Sequence, residues 1–199
     1  MRFYFINRYV KYLLPNCDWR VKNTNHIYLT FDDGPTPEVT PWVLDLLKEK
    51  GIKATFFCVG ANVEKHPKLY QRLLDEGHSV GNHTYSHKSA WQNLWRTWLA
   101  DFRRAEPLID SKLMRPPYGK IWPWQAARLR KLGYRIIMWT FITYDFDASS
   151  NPIVALHKMK KLKKGSIIVM HDQPKANANL KVILPELLNM FEDRSFEKL

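Results

Sequence analysis

Gly51, Gly77, Gly133 and Gly165 divide the chain: each closes a stretch of helical apolar spacing and is followed at once by a short β-branched or aromatic run. Glycine just past a helix stops it in the left-handed conformation, so the pattern is helix, stop, strand, again and again. Pro41 opens the first of these helices, which carries Trp42, Val43, Leu46 and Leu47, and the N-terminal proline with C-terminal glycine marks both ends. Before it, His26 to Phe31 is a strand running into the Asp-Asp-Gly-Pro turn. After it come a strand from Lys53 to Val59, a helix from Pro67 to Glu76 and a third strand from His78 to Gly81.

Trp91, Leu94, Trp95, Trp98, Leu99 and Phe102 recur at three- and four-residue intervals, which predicts a helix over 91–109. The remaining units are a strand at Leu113 to Arg115, a helix from Trp122 to Leu132, a strand from Tyr134 to Phe141, a helix from Pro152 toward Gly165, and a strand over 166–170. A last helical stripe, Leu180, Ile183, Leu184, Leu187, Leu188 and Phe191, ends at Glu192, Asp193 and Arg194, and Phe196 to Leu199 predicts a short final strand. Repeated strand-helix units with buried strands give an α/β fold with a parallel sheet and outer helices, and about seven of them closing on themselves give an irregular (β/α)-barrel, TIM-barrel-like. At 199 residues one core suffices. The expected division is an N-terminal arm, residues 1–25, packed on a domain of residues 26–199.

Cys58 lies in the apolar run Ala54 to Val59 and reads as a buried thiol, with a bridge to Cys17 as the open alternative. Lys and Arg number 31 against 19 acidic residues, a formal charge of +12, which favours anionic polymers or a membrane surface as a further contact. The densest basic run, Lys158, Lys160, Lys161, Lys163 and Lys164, alternates with Ile153, Leu156, Met159 and Leu162 and reads as the solvated face of an amphipathic helix. No nucleic-acid module is present by pattern, so nucleic acid is not an expected partner. The aromatic start is broken by Asn7, Arg8 and Lys11, leaving neither a clean signal-peptide core nor an apolar span of about 18 residues. A cytoplasmic or membrane-peripheral location is expected, the second through Arg2, Arg8, Lys11 and the neighbouring aromatics. The pattern fixes no oligomeric state; a monomer is the expectation.

The polar residues at strand ends carry the chemistry. Asp32 and Asp33, His83 and His87, Arg115, Asp145 and His171 all follow the C-terminal ends of expected strands, where barrel folds of this kind build their sites. Histidines at i and i+4 share one face of a helical turn, so both imidazoles reach one ion, and one carboxylate completes the ligand set while the other is free for proton transfer. That combination predicts a metallohydrolase.

Five segments, Thr30-Phe31-Asp32-Asp33-Gly34, His83-Thr84-Tyr85-Ser86-His87, Arg115-Pro116-Pro117-Tyr118-Gly119, the residues around Asp145, and Val169-Met170-His171, occur in one order. In them the chain resembles the polysaccharide deacetylase family, carbohydrate esterase family 4 or NodB homology domain, over about residues 26–199. The resemblance implies metal-dependent removal of an N-acetyl group from an amino sugar in a cell-wall or envelope glycan. It implies Asp33, His83 and His87 as metal ligands, with Zn2+ the default and Co2+ or Ni2+ able to take the same ligands. It further implies Asp32 as base, Arg115 as its partner, His171 as acid oriented by Asp145, and the backbone N–H of Tyr118 as oxyanion donor. Trp139, Phe146, Val169 and Pro117 would line the acetyl pocket. The segment Ile142 to Phe146 lacks one aspartate of the family pattern and has phenylalanine for tryptophan, and Val169 stands where leucine is usual. Two alternatives stay open: a hydrolase of another non-peptide C–N bond, such as a small cyclic amide or imide, and a non-catalytic glycan-binding homologue.

Overall fold

A computed structural model of the chain describes residues 2–6, 8–192 and 194–199. The expected break at Asn7 and the helix-ending Asp193 lie outside the described residues. The strands are β1 Cys17–Asp18, β2 Tyr28–Asp32, β3 Thr55–Cys58, β4 Ser79–Asn82, β5 Leu113–Met114, β6 Arg135–Ile137, β7 Phe141–Ile142 and β8 Ile167–His171. The helices are α1 Arg8–Leu13, α2 Thr40–Glu49, α3 Gly60–Lys65, α4 Pro67–Asp75, α5 Trp95–Ala105, α6 Pro123–Lys131, α7 Pro152–Met159 and α8 Asn177–Met190. One sheet takes the order β1-β6-β5-β4-β3-β2-β8-β7, and every neighbouring pair is parallel. The expected α/β irregular barrel is what forms, as a curled parallel sheet with helices around it.

β2, β3 and β8 are buried along their whole length, as strands covered on both faces must be. Phe31 and Phe56 stack at 5.0 Å between strands, and Leu44, Leu47 and Leu184 belong to the same buried apolar cluster. The four stop glycines all have positive φ, between +65° and +86°. Gly165 is doubly constrained, because a Cβ there would sit 2.1 Å from the carbonyl oxygen of Val21.

Several elements differ from expectation. The strand expected over 134–141 breaks into β6 and β7, because the chain between them changes partner from β5 and β1 to β8. At the break, the carbonyls of Ile137 and Met138 accept hydrogen bonds from the buried Arg115 guanidinium at 3.1 and 3.0 Å. The helix expected from Trp91 begins only at Trp95, so Trp91 and Leu94 lie in the preceding turn and are 51% and 80% exposed. The final strand is reduced to one bridge, Phe196 to Ile27.

α7 stops at Met159, short of Gly165, with Ala155, Leu156 and Met159 buried while Ile153 faces solvent. Cys17 and Cys58 are both buried and free. Among the described residues no helix is long and apolar enough to cross a membrane. At the start of the chain Phe5 bridges Phe141, the Tyr4 carbonyl accepts from Ile142 N–H at 3.0 Å, and Arg2 pairs with Asp147 at 2.6 Å.

Candidate active site

The parallel register of β2 and β8 sets Asp32 opposite His171, so two strand ends present their polar residues at one rim. β4 delivers His83 from the same rim. The segment from His83 to His87 is not the helical turn that the i, i+4 spacing suggested: it is a loop in which Thr84 and His87 have φ of +63° and +57°. The Asn82 side chain fixes that loop, its Oδ1 accepting from Thr84 N–H at 2.7 Å while its Nδ2 donates to the Phe102 carbonyl at 3.2 Å. The left-handed residues turn the His87 ring back toward His83, 4.9 Å away. Of the six non-glycine residues with positive φ among the described residues, five (Asp33, Thr84, His87, Tyr118 and Tyr144) lie in the loops around this cleft, a placement of backbone strain common at functional sites.

One ligating atom from each of Asp33, His83 and His87 lies within 4.8 Å of the others. Nε2 of His87 is 3.0 Å from Asp33 Oδ1, and that of His83 is 3.5 Å away. Yet Oδ1 is buried with no hydrogen-bond partner. His83 Nδ1 is 2.7 Å from the Arg115 carbonyl; it donates there, which leaves Nε2 as a lone pair aimed at the carboxylate. Lone pairs converging on an orphaned carboxylate oxygen fit a cation, and the donor set, one oxygen and two imidazoles with room for further ligands, suits a catalytic divalent metal. Burial alone would raise the Asp33 carboxyl; when His83 and His87 carry protons in place of a cation, their N–H groups, with His171 behind them, outweigh it and hold the group well below the usual carboxylate range.

Two buried charge pairs flank this triad. Arg115 is fully buried and its Nη1 donates to Asp32 Oδ1 at 2.6 Å and to Thr30 Oγ1 at 2.7 Å. Opposite, His171 Nδ1 donates to Asp145 Oδ1 at 2.7 Å, and the His171 backbone N–H meets Oδ2 of the same carboxylate at 2.8 Å. Burial disfavours the imidazolium, but the charge and hydrogen bond of Asp145, with Asp33 and Asp32 nearby, outweigh it and raise the His171 pKa to about 9.

The cleft between these groups has a volume of about 1140 Å³, above the roughly 300–1,000 Å³ usual for a small-molecule pocket. Asp32, Asp33, His83, His87, Tyr118, Trp139, Phe146, Val169 and His171 all line it. Pro117 does not: it is buried in the short turn Pro117–Gly119 that presents Tyr118 outward, because the ring there serves packing and only the next residue reaches the opening. Phe146 meets His171 edge-on at 4.7 Å.

Sequence reasoning missed several residues that hold the site. Asp172 accepts from Gly34 N–H at 3.1 Å and Thr40 Oγ1 at 2.5 Å, and its carbonyl accepts from Thr36 Oγ1 at 2.7 Å; burial pushes its carboxyl up to about 7. It bolts the loop after Asp33 to the end of β8, and a Cβ on Gly34 would strike it at 1.9 Å. Gln173 Nε2 donates to Asp33 Oδ2 at 2.5 Å, and Asn62 Nδ2 donates to the Asp33 carbonyl at 2.7 Å. Phe3, Phe5, Ile6 and Val10 form an apolar wall of the cleft. The one available signal for Asp172 and Gln173 was their position directly after His171.

A parallel half-barrel with an Asp-His-His cluster between two buried ion pairs defines the class. The chain belongs to the polysaccharide deacetylase family, whose model matches residues 20–137. Two Bacillus cereus proteins, each named peptidoglycan-N-acetylglucosamine deacetylase, are similar to it. One is 34% identical over 187 residues, 85% of this chain and 85% of its own length. The other is 35% identical over 158 residues, 76% of this chain, and the chain spans 58% of that relative's length. A crystal structure of a peptidoglycan N-acetylglucosamine deacetylase superposes with a TM-score of 0.80 at 30% identity, covering 90% of this chain and 88% of the other.

Proposed function

We propose that the chain is a metal-dependent N-deacetylase acting on an amino sugar within a cell-wall or envelope glycan. The observation that carries this reading is the convergence in one cleft of the Asp33, His83 and His87 cluster with the Asp32–Arg115 and Asp145–His171 pairs. Asp33 Oδ1 and the Nε2 atoms of His83 and His87 would hold the metal, Zn2+ by default for these donors with Co2+ or Ni2+ able to replace it, and it would supply Lewis-acid polarisation of a carbonyl and acidification of water.

The remaining work falls to the chain's own groups. Arg115 engages Oδ1 of Asp32, so Oδ2 is the atom that takes a proton from the attacking water. The Tyr118 backbone N–H donates to the oxygen on which negative charge develops. The water oxygen bonds to the acyl carbon, and the C–N bond then breaks. An amine is too basic to leave as an anion; His171, with Nδ1–H tied to Asp145, delivers the Nε2 proton to it. Acetate and a free amino sugar are the products. Trp139, Phe146 and Val169 bound the space for the acetyl methyl, with Pro117 behind them as packing.

Acetate release from N-acetylglucosamine oligomers and peptidoglycan fragments, with and without chelator, tests the reading. Release should cease on chelation and return with Zn2+; chelator-insensitive release, or hydrolysis of small cyclic imides in its place, would overturn it. The acid assignment makes a separate prediction. His171 must be protonated, so kcat/KM falls as pH rises through its pKa, which is raised from the ordinary 6.5 to about 9. Asp145→Asn removes the largest raising influence and should move this alkaline limb to lower pH. An unmoved limb in the pH-rate profile would assign the acid elsewhere.

A further inference from the structure

The cleft holds more apolar wall than an acetyl group needs. Trp139, Phe146 and Val169 bound the space for the methyl, and Phe3, Phe5, Ile6, Val10, Ile142 and Tyr144 line the rest of the same cavity. Phe5 and Tyr144 pack against one buried cluster, Ile6 and Val10 against another, and all four still reach the opening. Phe3 is placed differently. Its carbonyl accepts from Tyr144 Oη at 3.2 Å, which fastens the backbone, while its ring stays 68% exposed at the mouth.

The uncharged polar side chains of the cavity are already committed. Thr36 Oγ1 donates to the Asp172 carbonyl, Asn62 Nδ2 to the Asp33 carbonyl and Gln173 Nε2 to Asp33 Oδ2. Lys120 and Lys175 supply the cavity's ammonium groups, and neither pairs with a carboxylate among the described residues. Apart from the proposed base and metal ligand, Asp32 and Asp33, no described residue of the lining is acidic, in a chain of net charge +12. The cavity thus offers free cations and apolar surface, which suits a ligand with an anionic group and a long apolar part. Beyond Val10, α1 turns Tyr12 and Leu13 to solvent at 79% and 69% exposure. Single exposed apolar residues need no explanation, but a run of them continuing from a cleft marks a binding surface.

We propose that Phe3, Phe5, Ile6 and Val10 seat an apolar chain, with Lys120 and Lys175 on the phosphate that joins it to the sugar, so that the preferred substrate is an N-acetylated amino sugar still carried on a lipid. The inference rests on the deacetylase reading above and names its substrate class. Each methylene that moves from water onto this wall favours the complex, whereas a sugar without a chain leaves the same rings wet. The two ammonium groups meet phosphate oxygens as point charges on flexible stems. The N-terminal segment selects the substrate without touching the bond that breaks.

Acetate release is compared for three probes below their critical micelle concentrations: the methyl glycoside of N-acetylglucosamine, its dodecyl glycoside, and the dodecyl phosphodiester of its 1-phosphate. From the first to the second kcat/KM should rise about tenfold or more, the effect of taking only about two methylenes out of water. From the second to the third it should rise again by about fivefold, as two exposed ion pairs allow. Phe3→Ser, at a ring mostly in solvent, should shrink the first ratio and Phe3→Ser/Val10→Ser should remove most of it; Lys120→Gln/Lys175→Gln should remove the second. Calorimetric titration of the chelator-treated protein with the phosphodiester reads binding without turnover and should weaken in the same variants. Equal kcat/KM for the methyl and dodecyl glycosides overturns the subsite and leaves the deacetylase standing, as does a chain preference that survives Phe3→Ser/Val10→Ser. Sedimentation showing a dimer that Phe3→Ser dissociates would assign the wall to a contact between copies and overturn the proposal. Binding that weakens in the variants, with no acetate released from any probe, would keep the apolar seat and remove the deacetylase.

Discussion

Asp32→Asn should lower kcat for acetate release by about 10²- to 10⁴-fold, the usual contribution of a positioned proton-transfer group, and leave metal content unchanged. The side chains have nearly the same shape, so Arg115 still finds an oxygen where Oδ1 stood. The other position becomes an amide NH2, which cannot accept a proton. Asp33, His83 and His87 are untouched, and metal per chain, measured on the purified variant, should match that of the unaltered protein. The variant also leaves Arg115 buried without its anion, so it should melt earlier and its kinetics belong well below that transition. Near-normal turnover would place the base elsewhere; lost metal would make Asp32 a ligand.

Arg115→Met should cost about 3–5 kcal/mol of unfolding free energy, the range for breaking a buried ion pair from one side, together with most of the activity. No part of the Arg115 side chain reaches solvent, and its replacement strips donors from Asp32 Oδ1, Thr30 Oγ1 and the carbonyls of Ile137 and Met138 at once. Methionine fills much of the volume, so the loss reports stranded polar groups more than an empty cavity. Denaturant unfolding of both single variants and of Asp32→Asn/Arg115→Met closes a cycle. The double variant should regain part of the stability and none of the activity. A cost below about 1 kcal/mol for Arg115→Met, the level of an exposed pair, would mean that the pair does not hold the sheet together.

Local signals made much of this structure legible. A stop glycine acts within its own turn, and the polar residues after each strand follow from strand direction alone, so the order of units and the rim holding Asp32, His83, Arg115 and His171 could be read without a partner strand in view. The spacing of His83 and His87 pointed to two side chains that do lie together, but through a different backbone, because i, i+4 proximity comes from left-handed loop residues as readily as from a helical turn. Asp172, Gln173 and Asn62 were illegible, since their partners lie in the loop after β2, over a hundred residues away for the first two. The interruption between β6 and β7 was hidden for the same reason: it answers a guanidinium from another strand. Trp91 fits the helical period and still lies outside the helix, for periodicity does not register where a helix starts.

The wall of the cleft built from Phe3, Phe5, Ile6 and Val10 bears on how the molecule comes together during synthesis. Its backbone partners are Thr140 to Ile142, its anchoring carboxylate is Asp147, and β1 waits for β6. This segment therefore waits for those partners until most of the sheet has been translated, and such long sequence separations make its docking slow. A nascent chain halted before residue 135 would have Asp33, His83 and His87 in hand but an unwalled opening. That wall of the cleft is thus assembled only after residues more than a hundred positions further on have been made.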